Sequence, residues 1–258
     1  GTLTKTGGSM SLNNVVWSLS DDTSYSSDTE IETKTLLLNN NLLTLGTAGS
    51  DISVTDNMTF DNSSEQIVTG SADLTLQGGF IMQDGLISST GGIISLQEGG
   101  RLLGNGILDV SNSTWTLGDN FTKTDGTLTT TGAGTILELT DNLTVTSNTP
   151  VSVKTLNLND KTITLGSETT DLTVSDAITL DGADEQIHTQ SADLTLNGLL
   201  SVDNGGLYSS DGTLTFGGGL NQTGGELDID NSTLRLNADL NKTGGTLQTS
   251  GTSITVLS

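Results

Sequence analysis

The side chains in this sequence best suited to chemistry are carboxylates in one recurring loop. Asp61 and Glu65 in DNSSEQ, and Asp181, Asp184 and Glu185 in DGADEQ, offer hard oxygen ligands of the kind calcium prefers. Without fixed ligand spacing the same residues also make an ordinary solvated turn, so calcium is the one ion the chain offers a seat and no metal residue is assigned. His188 is the only histidine. Its counterpart in the repeat described below is Val68, which neither transfers a proton nor binds a metal, and this favours an outward strand position beside an inward Ile187. Arg101 and Arg235 stand apart with no carboxylates gathered around them. No convergent set of catalytic groups emerges. The expectation is a chain that is not an enzyme, with no catalytic, cofactor-binding or metal residues and no cofactor.

Threonines flanking an inward leucine form T-x-T pairs at Thr2 and Thr4, Thr127 and Thr129, and Thr213 and Thr215. Flat ranks of such pairs hold ordered water in ice-binding solenoids. Here the positions stacked on Thr213 and Thr215 are expected to be Asp193 and Thr195 on one side and Thr233 and Arg235 on the other, which breaks the rank. Eight N-x-S/T triplets, at Asn57, Asn62, Asn112, Asn120, Asn142, Asn221, Asn231 and Asn241, follow from the turn-forming habits of Asn and Thr; they become glycan acceptors only with a suitable transferase. An acidic loop around Asp21, Asp22 and Tyr25 is expected to project.

The elements that must position these residues announce themselves by repetition. KTLLLNNNLLTLG from Lys34 returns as KTLNLNDKTITLG from Lys154, SADLTLQG from Ser71 as SADLTLNG from Ser191, and LDVSNSTWTL from Leu108 as LDIDNSTLRL from Leu227. GTLTKTG, GTLTTTG and GTLQTSG open at Gly1, Gly126 and Gly245. The division is a first unit over 1–125, a second over 126–244 and the start of a third over 245–258. Between Gly1 and Lys34 the first unit carries five more residues than the second does between Gly126 and Lys154.

A shorter period, of about 20 residues, runs through apolar positions in three registers. Val174, Leu194, Leu214, Leu234 and Ile254 form one series, with Val54, Leu74 and Ile94 in the first unit. Leu180, Leu200, Leu220 and Leu240 form another, with Phe60 and Phe80. Ile187, Leu207, Leu227 and Leu247 form the third, with Ile67 and Ile87. Three apolar anchors per period mean three short strands and three turns per coil. In ADLTLQG, Leu74 and Leu76 point inward while Asp73 and Thr75 point out. The pairs Gly205–Gly206, Gly224–Gly225 and Gly244–Gly245 mark corners. No apolar stripe of helical period survives the Gly, Thr, Ser and Asn content. The fold class is all-β: a parallel β-helix, or β-solenoid, with three short strands per coil of about 20 residues and about six coils per 120-residue repeat.

Composition agrees. Aromatics are 3% of 258 residues and glycines number 33, so any core must be narrow and aliphatic. Eight Lys and Arg against 31 Asp and Glu give a net charge of −23, which repels nucleic-acid backbones and anionic lipid surfaces. Cysteine is absent, and no apolar run is long enough to span a bilayer. No nucleic-acid partner and no membrane insertion are expected, and any address or anchor is expected elsewhere in the gene product.

These repeating coils, with L-x-L strands and turns such as NQTGG from Asn221, NKTGG from Asn241 and DNGG from Asp203, resemble the parallel β-helix repeats of large bacterial surface proteins, the filamentous-haemagglutinin-like adhesins and autotransporter passenger domains. The resemblance covers nearly the whole chain. It implies a structural rod or fibre segment of a giant secreted or surface-attached protein, extracellular or on the cell surface, serving adhesion or filament and matrix formation. The alternative is a binding module whose exposed face takes a glycan, calcium or ice, and after it a polysaccharide-active enzyme. Neither GTLTKTGG nor SITVLS resembles a cap, and Ile254, Val256 and Leu257 lie near the last residue. The expected partners are therefore further repeats of the same chain or copies associated end to end.

Overall fold

A computed structural model describes residues 1–5 and 12–256. The rest of the opening motif and Leu257 lie outside the described residues. The fold is all-β: the described residues form 35 short strands, most of three or four residues, paired in parallel and wound as a β-solenoid with three strands per coil. Among the described residues no helix is long and apolar enough to cross a membrane. The chain forms two compact units, Gly1–Thr135 and Ile136–Ser258.

Within the first unit one sheet stacks the strands Thr23–Ser26, Leu42–Leu45, Gln66–Gly70, Leu86–Ser89, Ile107–Asp109 and Thr127–Thr129, in that order. A second stacks Ile31–Leu37, Ile52–Val54, Leu74–Leu76, Ile93–Leu96 and Thr114–Leu117, and a third stacks Met58–Phe60, Phe80–Met82, Gly100–Leu102 and Phe121–Lys123. The second unit repeats the scheme. Leu172–Val174, Leu194–Leu196, Thr213–Phe216, Thr233–Leu236 and Ser253–Val256 form one face, Gln186–Gln190, Gly206–Ser209, Glu226–Ile229 and Thr246–Gln248 another, and Ile178–Leu180, Leu200–Val202, Leu220–Gln222 and Leu240–Lys242 the third. Each inner strand's backbone groups are met by the coils before and after it, so even a strand of three residues is fully paired.

Parallel pairing puts like on like. Leu194 pairs with Leu214, Leu214 with Leu234 and Leu234 with Ile254, one coil at a time. The third series is also as expected, with Ile187 on Leu207, Leu207 on Leu227 and Leu227 on Leu247. The other two series need correction at one coil of each unit. Leu194 pairs with Leu172 rather than Val174, and Leu74 with Ile52 rather than Val54. Leu200 pairs with Ile178 rather than Leu180, and Phe80 with Met58 rather than Phe60. Those coils are longer because the acidic loop spans 61–65 or 181–185, where the next coil has only 83–85 or 203–205. A residue two places along a strand faces the same side, so Val54 and Val174 still point inward, paired with Leu76 and Leu196, two residues beyond the expected partners.

The core is a column of Leu, Ile and Val, and the few aromatics are concentrated inside it. All four phenylalanines, Phe60, Phe80, Phe121 and Phe216, are fully buried with Trp115 and Tyr25. Phe60 meets Phe80, and Trp115 meets Phe121, edge to face. The projecting loop expected around Tyr25 is not formed there. Thr23–Ser26 is a strand, and Tyr25 fills the column between Leu3 and Leu45 with its ring edge-on to Trp17. Burying so large a ring outweighs the polar setting of its neighbours. Leu214 and Leu234 are buried, whereas Ile254 is 49% and Val256 61% exposed, because Ser253–Val256 is covered on one side only, by Thr233–Leu236.

Candidate functional site

The acidic loops are shaped by their own carboxylates. Glu65 folds back so that its Oε2 accepts the Asp61 backbone N–H (3.0 Å), and Glu185 Oε2 accepts those of Asp181 (2.9 Å) and Gly182 (3.1 Å). Each loop is thereby closed on itself, and the glutamate's hydrogen-bonding capacity goes first to the backbone. No three acidic or histidine side chains among the described residues are grouped as a metal ion requires.

Other acidic residues act as braces between coils. Asp51 Oδ1 accepts the Asp73 N–H (2.8 Å) and Asp73 Oδ1 accepts the Ile93 N–H (2.7 Å). The second unit repeats both contacts, from Asp171 to Asp193 (3.0 Å) and from Asp193 to Thr213 (2.7 Å). Thr35 donates to Asp56 and Thr155 to Asp176 in the same way. Burial, assisted by the nearby Asp73 charge and opposed by that backbone hydrogen bond, pushes the Asp51 carboxyl above its usual range.

Asparagines of the N-x-S/T triplets brace turns too. Asn57 Oδ1 accepts the Gly79 N–H and Asn142 Oδ1 that of Thr162, at 2.9 Å each. The threonine rank runs through Thr173, Thr195 and Thr215 before Arg235 interrupts it, and Asp193 precedes Thr213 in the adjoining column. Arg101 and Arg235 both point outward from their strands. Arg101 lies in a groove of about 360 Å³ with Glu98 as its only carboxylate.

A different set of residues converges on the outer face of the second unit. His188, Tyr208 and Asp228 are in register on the strands Gln186–Gln190, Gly206–Ser209 and Glu226–Ile229. The His188 ring stacks on Tyr208 with centroids 4.6 Å apart and planes 19° from parallel. His188 Nε2 donates to Gln186 Oε1 (2.9 Å) and the Tyr208 hydroxyl donates to Glu226 Oε2 (3.2 Å). Gly206 supplies the space, since a Cβ there would stand 2.5 Å from the Tyr208 ring. Beside this column lies a groove of about 230 Å³ lined by His188, Gln190, Tyr208, Ser210, Asp228 and Asp230.

Electrostatics in the groove are one-sided. Burial pushes the His188 imidazole below its usual range, favouring the neutral ring. The Tyr208 phenol is raised by burial and by its link to Glu226. The Asp228 carboxyl is raised by burial and then by the charges of Asp230 and Glu226, and its Oδ1 is covered without meeting a donor.

Gln190 is the residue that sequence reasoning missed most completely. It sits at a bulge between the two strands with φ 51°, in the left-handed region. Every other non-glycine residue with positive φ among the described residues is Asn or Asp, whose short side chains ease that conformation. A glutamine gains no such relief, and the strain is about 1 kcal/mol. The signal for the groove was present in the spacing: His188, Tyr208 and Asp228 follow one another at intervals of a single coil.

Compared with known proteins, the chain matches no family model, no curated protein and no solved structure, which leaves the geometry of its own two units to speak for its function.

Proposed function

We propose that this chain is a non-catalytic structural segment of a large secreted or surface-attached repeat protein, serving adhesion or the building of extracellular filaments. The observation that carries this reading is what the two units share. The chemistry repeated between them is scaffold chemistry: the Asp51–Asp73–Ile93 brace and its copy Asp171–Asp193–Thr213, and the loops closed by Glu65 and Glu185. The chain's one histidine is not repeated, since Val68 stands where the second unit has His188. Like-on-like pairing accepts another coil of the same kind, so the natural partners are further repeats or a second copy joined end to end. The net charge of −23 keeps such assemblies apart laterally. The adhesin and autotransporter-like character rests on the L-x-L coils and their glycine turns. The test is to label intact source cells and their medium with antibodies to this chain. Surface or medium labelling that protease treatment of intact cells removes is the expected result, and a signal confined to the cell interior overturns the proposal.

A binding role on the solenoid face is the second reading, favoured by the groove beside His188 and Tyr208.

A further inference from the structure

The first unit serves as a control for that groove. Its strands Gln66–Gly70, Leu86–Ser89 and Ile107–Asp109 pair in the same register and with the same bulge as Gln186–Gln190, Gly206–Ser209 and Glu226–Ile229. At four outward positions the first unit has Val68, Gly70, Ser88 and Ser111, where the second has His188, Gln190, Tyr208 and Asp230, while Asp109 already matches Asp228. Each exchange introduces a larger side chain, and all four converge on one groove. The scaffold does not need them, because the first unit builds the same coils without them. Gly70 holds φ 59° at the bulge without strain, while Gln190 keeps φ 51° in spite of its side chain. A strained residue whose amide borders a groove is positioned for something outside the fold.

We propose that this groove binds a guanidinium group, as presented by an arginine side chain of a partner protein. Tyr208 is preorganised as a platform, with His188 packed on its ring and Glu226 taking its hydroxyl. Glu226, Asp228 and Asp230 alternate along one edge, so their side chains leave the same face. No lysine or arginine lines the groove, and Asp228 has an oxygen that meets no donor among the described residues. A planar cation satisfies both demands at once, stacking on the phenol while its N–H groups fork to the carboxylates. The Gln190 amide oxygen adds a neutral acceptor. Anionic ligands are opposed by the net charge of −23.

His188, as the only histidine, provides a unique reporter through its Cε1–H resonance. The full chain is titrated at low salt with N-acetyl-arginine amide, with N-acetyl-lysine amide and with the neutral saccharide chitotriose. The expected result is a saturable shift with the arginine probe, with Kd in the millimolar range or tighter, a weaker effect from the lysine probe, and none from chitotriose. Tyr208→Ser and Asp230→Ser, which restore the first unit's residues, weaken binding about threefold or more. Gln190→Gly weakens it too while leaving a fold at least as stable as the parent, so a loss of binding there is not a loss of folding. A shift that does not saturate, one unchanged in Tyr208→Ser, or equal saturation by chitotriose overturns the proposal.

Discussion

Asp73 and Ile93 are joined across one coil by a 2.7 Å hydrogen bond from the Ile93 N–H to the Asp73 carboxylate, and Asp193 holds Thr213 at the same distance. The carboxylate therefore completes the backbone pairing where the strand begins, and Asn retains the acceptor that Ala removes. Asp73→Ala and Asp193→Ala should each cost about 1–2 kcal/mol in urea unfolding, and Asp73→Asn much less. Equal losses for Ala and Asn would show that charge, not the acceptor, matters.

The column offers a graded packing test. Leu214→Ala, inside the stack, should cost about 2–5 kcal/mol, whereas Ile254→Ala, at 49% exposure, should cost well under half as much. Similar values at both positions would mean that Ile254 is covered in solution.

The loops closed by Glu65 and Glu185 bear on calcium. Glu65→Ala and Glu185→Ala should each lower stability by about 1 kcal/mol through the lost backbone caps. Calcium chloride should raise Tm no further than sodium chloride of equal ionic strength, the gain in both being screening of a strongly acidic chain. A calcium-specific rise that vanishes in Glu185→Ala would make the loop a metal site.

Acid should act through His188 and Asp51 in opposite senses. Burial lowers the His188 pKa, so below about 6.5 the unfolded chain takes up the proton first, and stability falls until the folded pKa is passed. His188→Val should remove that limb from a plot of stability against pH. Asp51 is raised mainly by burial; its charge burdens the folded state above the folded pKa and ceases to do so below the unfolded one. Asp51→Asn should therefore match or exceed the parent at pH 7, with the difference closing in acid.

At the bulge, Gln190→Gly should raise stability by about 0.5–1 kcal/mol by relieving the left-handed backbone. A destabilised variant would mean that the Gln190 side chain holds the fold.

Much of this architecture was legible because parallel stacking writes itself into sequence. Leu194, Leu214 and Leu234 sit on one another, so the period is the structure. The same rule hid the longer coils. Ile52 and Val54 are both apolar and both inward, so a step back from Leu74 by either coil length finds a suitable partner, and only the pairing itself decides. Tyr25 was misplaced because its Ser and Asp neighbours speak for a turn, while its ring answers to Leu3 and Leu45, which are distant in sequence. The groove escaped for a related reason. Its meaning lies in the difference between two copies, and that difference acquires a location only when His188, Gln190, Tyr208 and Asp230 are brought onto one surface.

The longer coil has a consequence for how such a chain finds its place. A ladder whose rungs are interchangeable is degenerate under translation: a segment slipped by one full rung meets almost the same leucines and loses little. Because DNSSEQ and DGADEQ occur once per unit, a slipped strand meets a loop of the wrong length, and either Met58 or Ile178 cannot reach its rung while Ile67 or Ile187 holds its own. The loop acts as an index mark on a repetitive scale, giving a periodic sequence a single origin per unit.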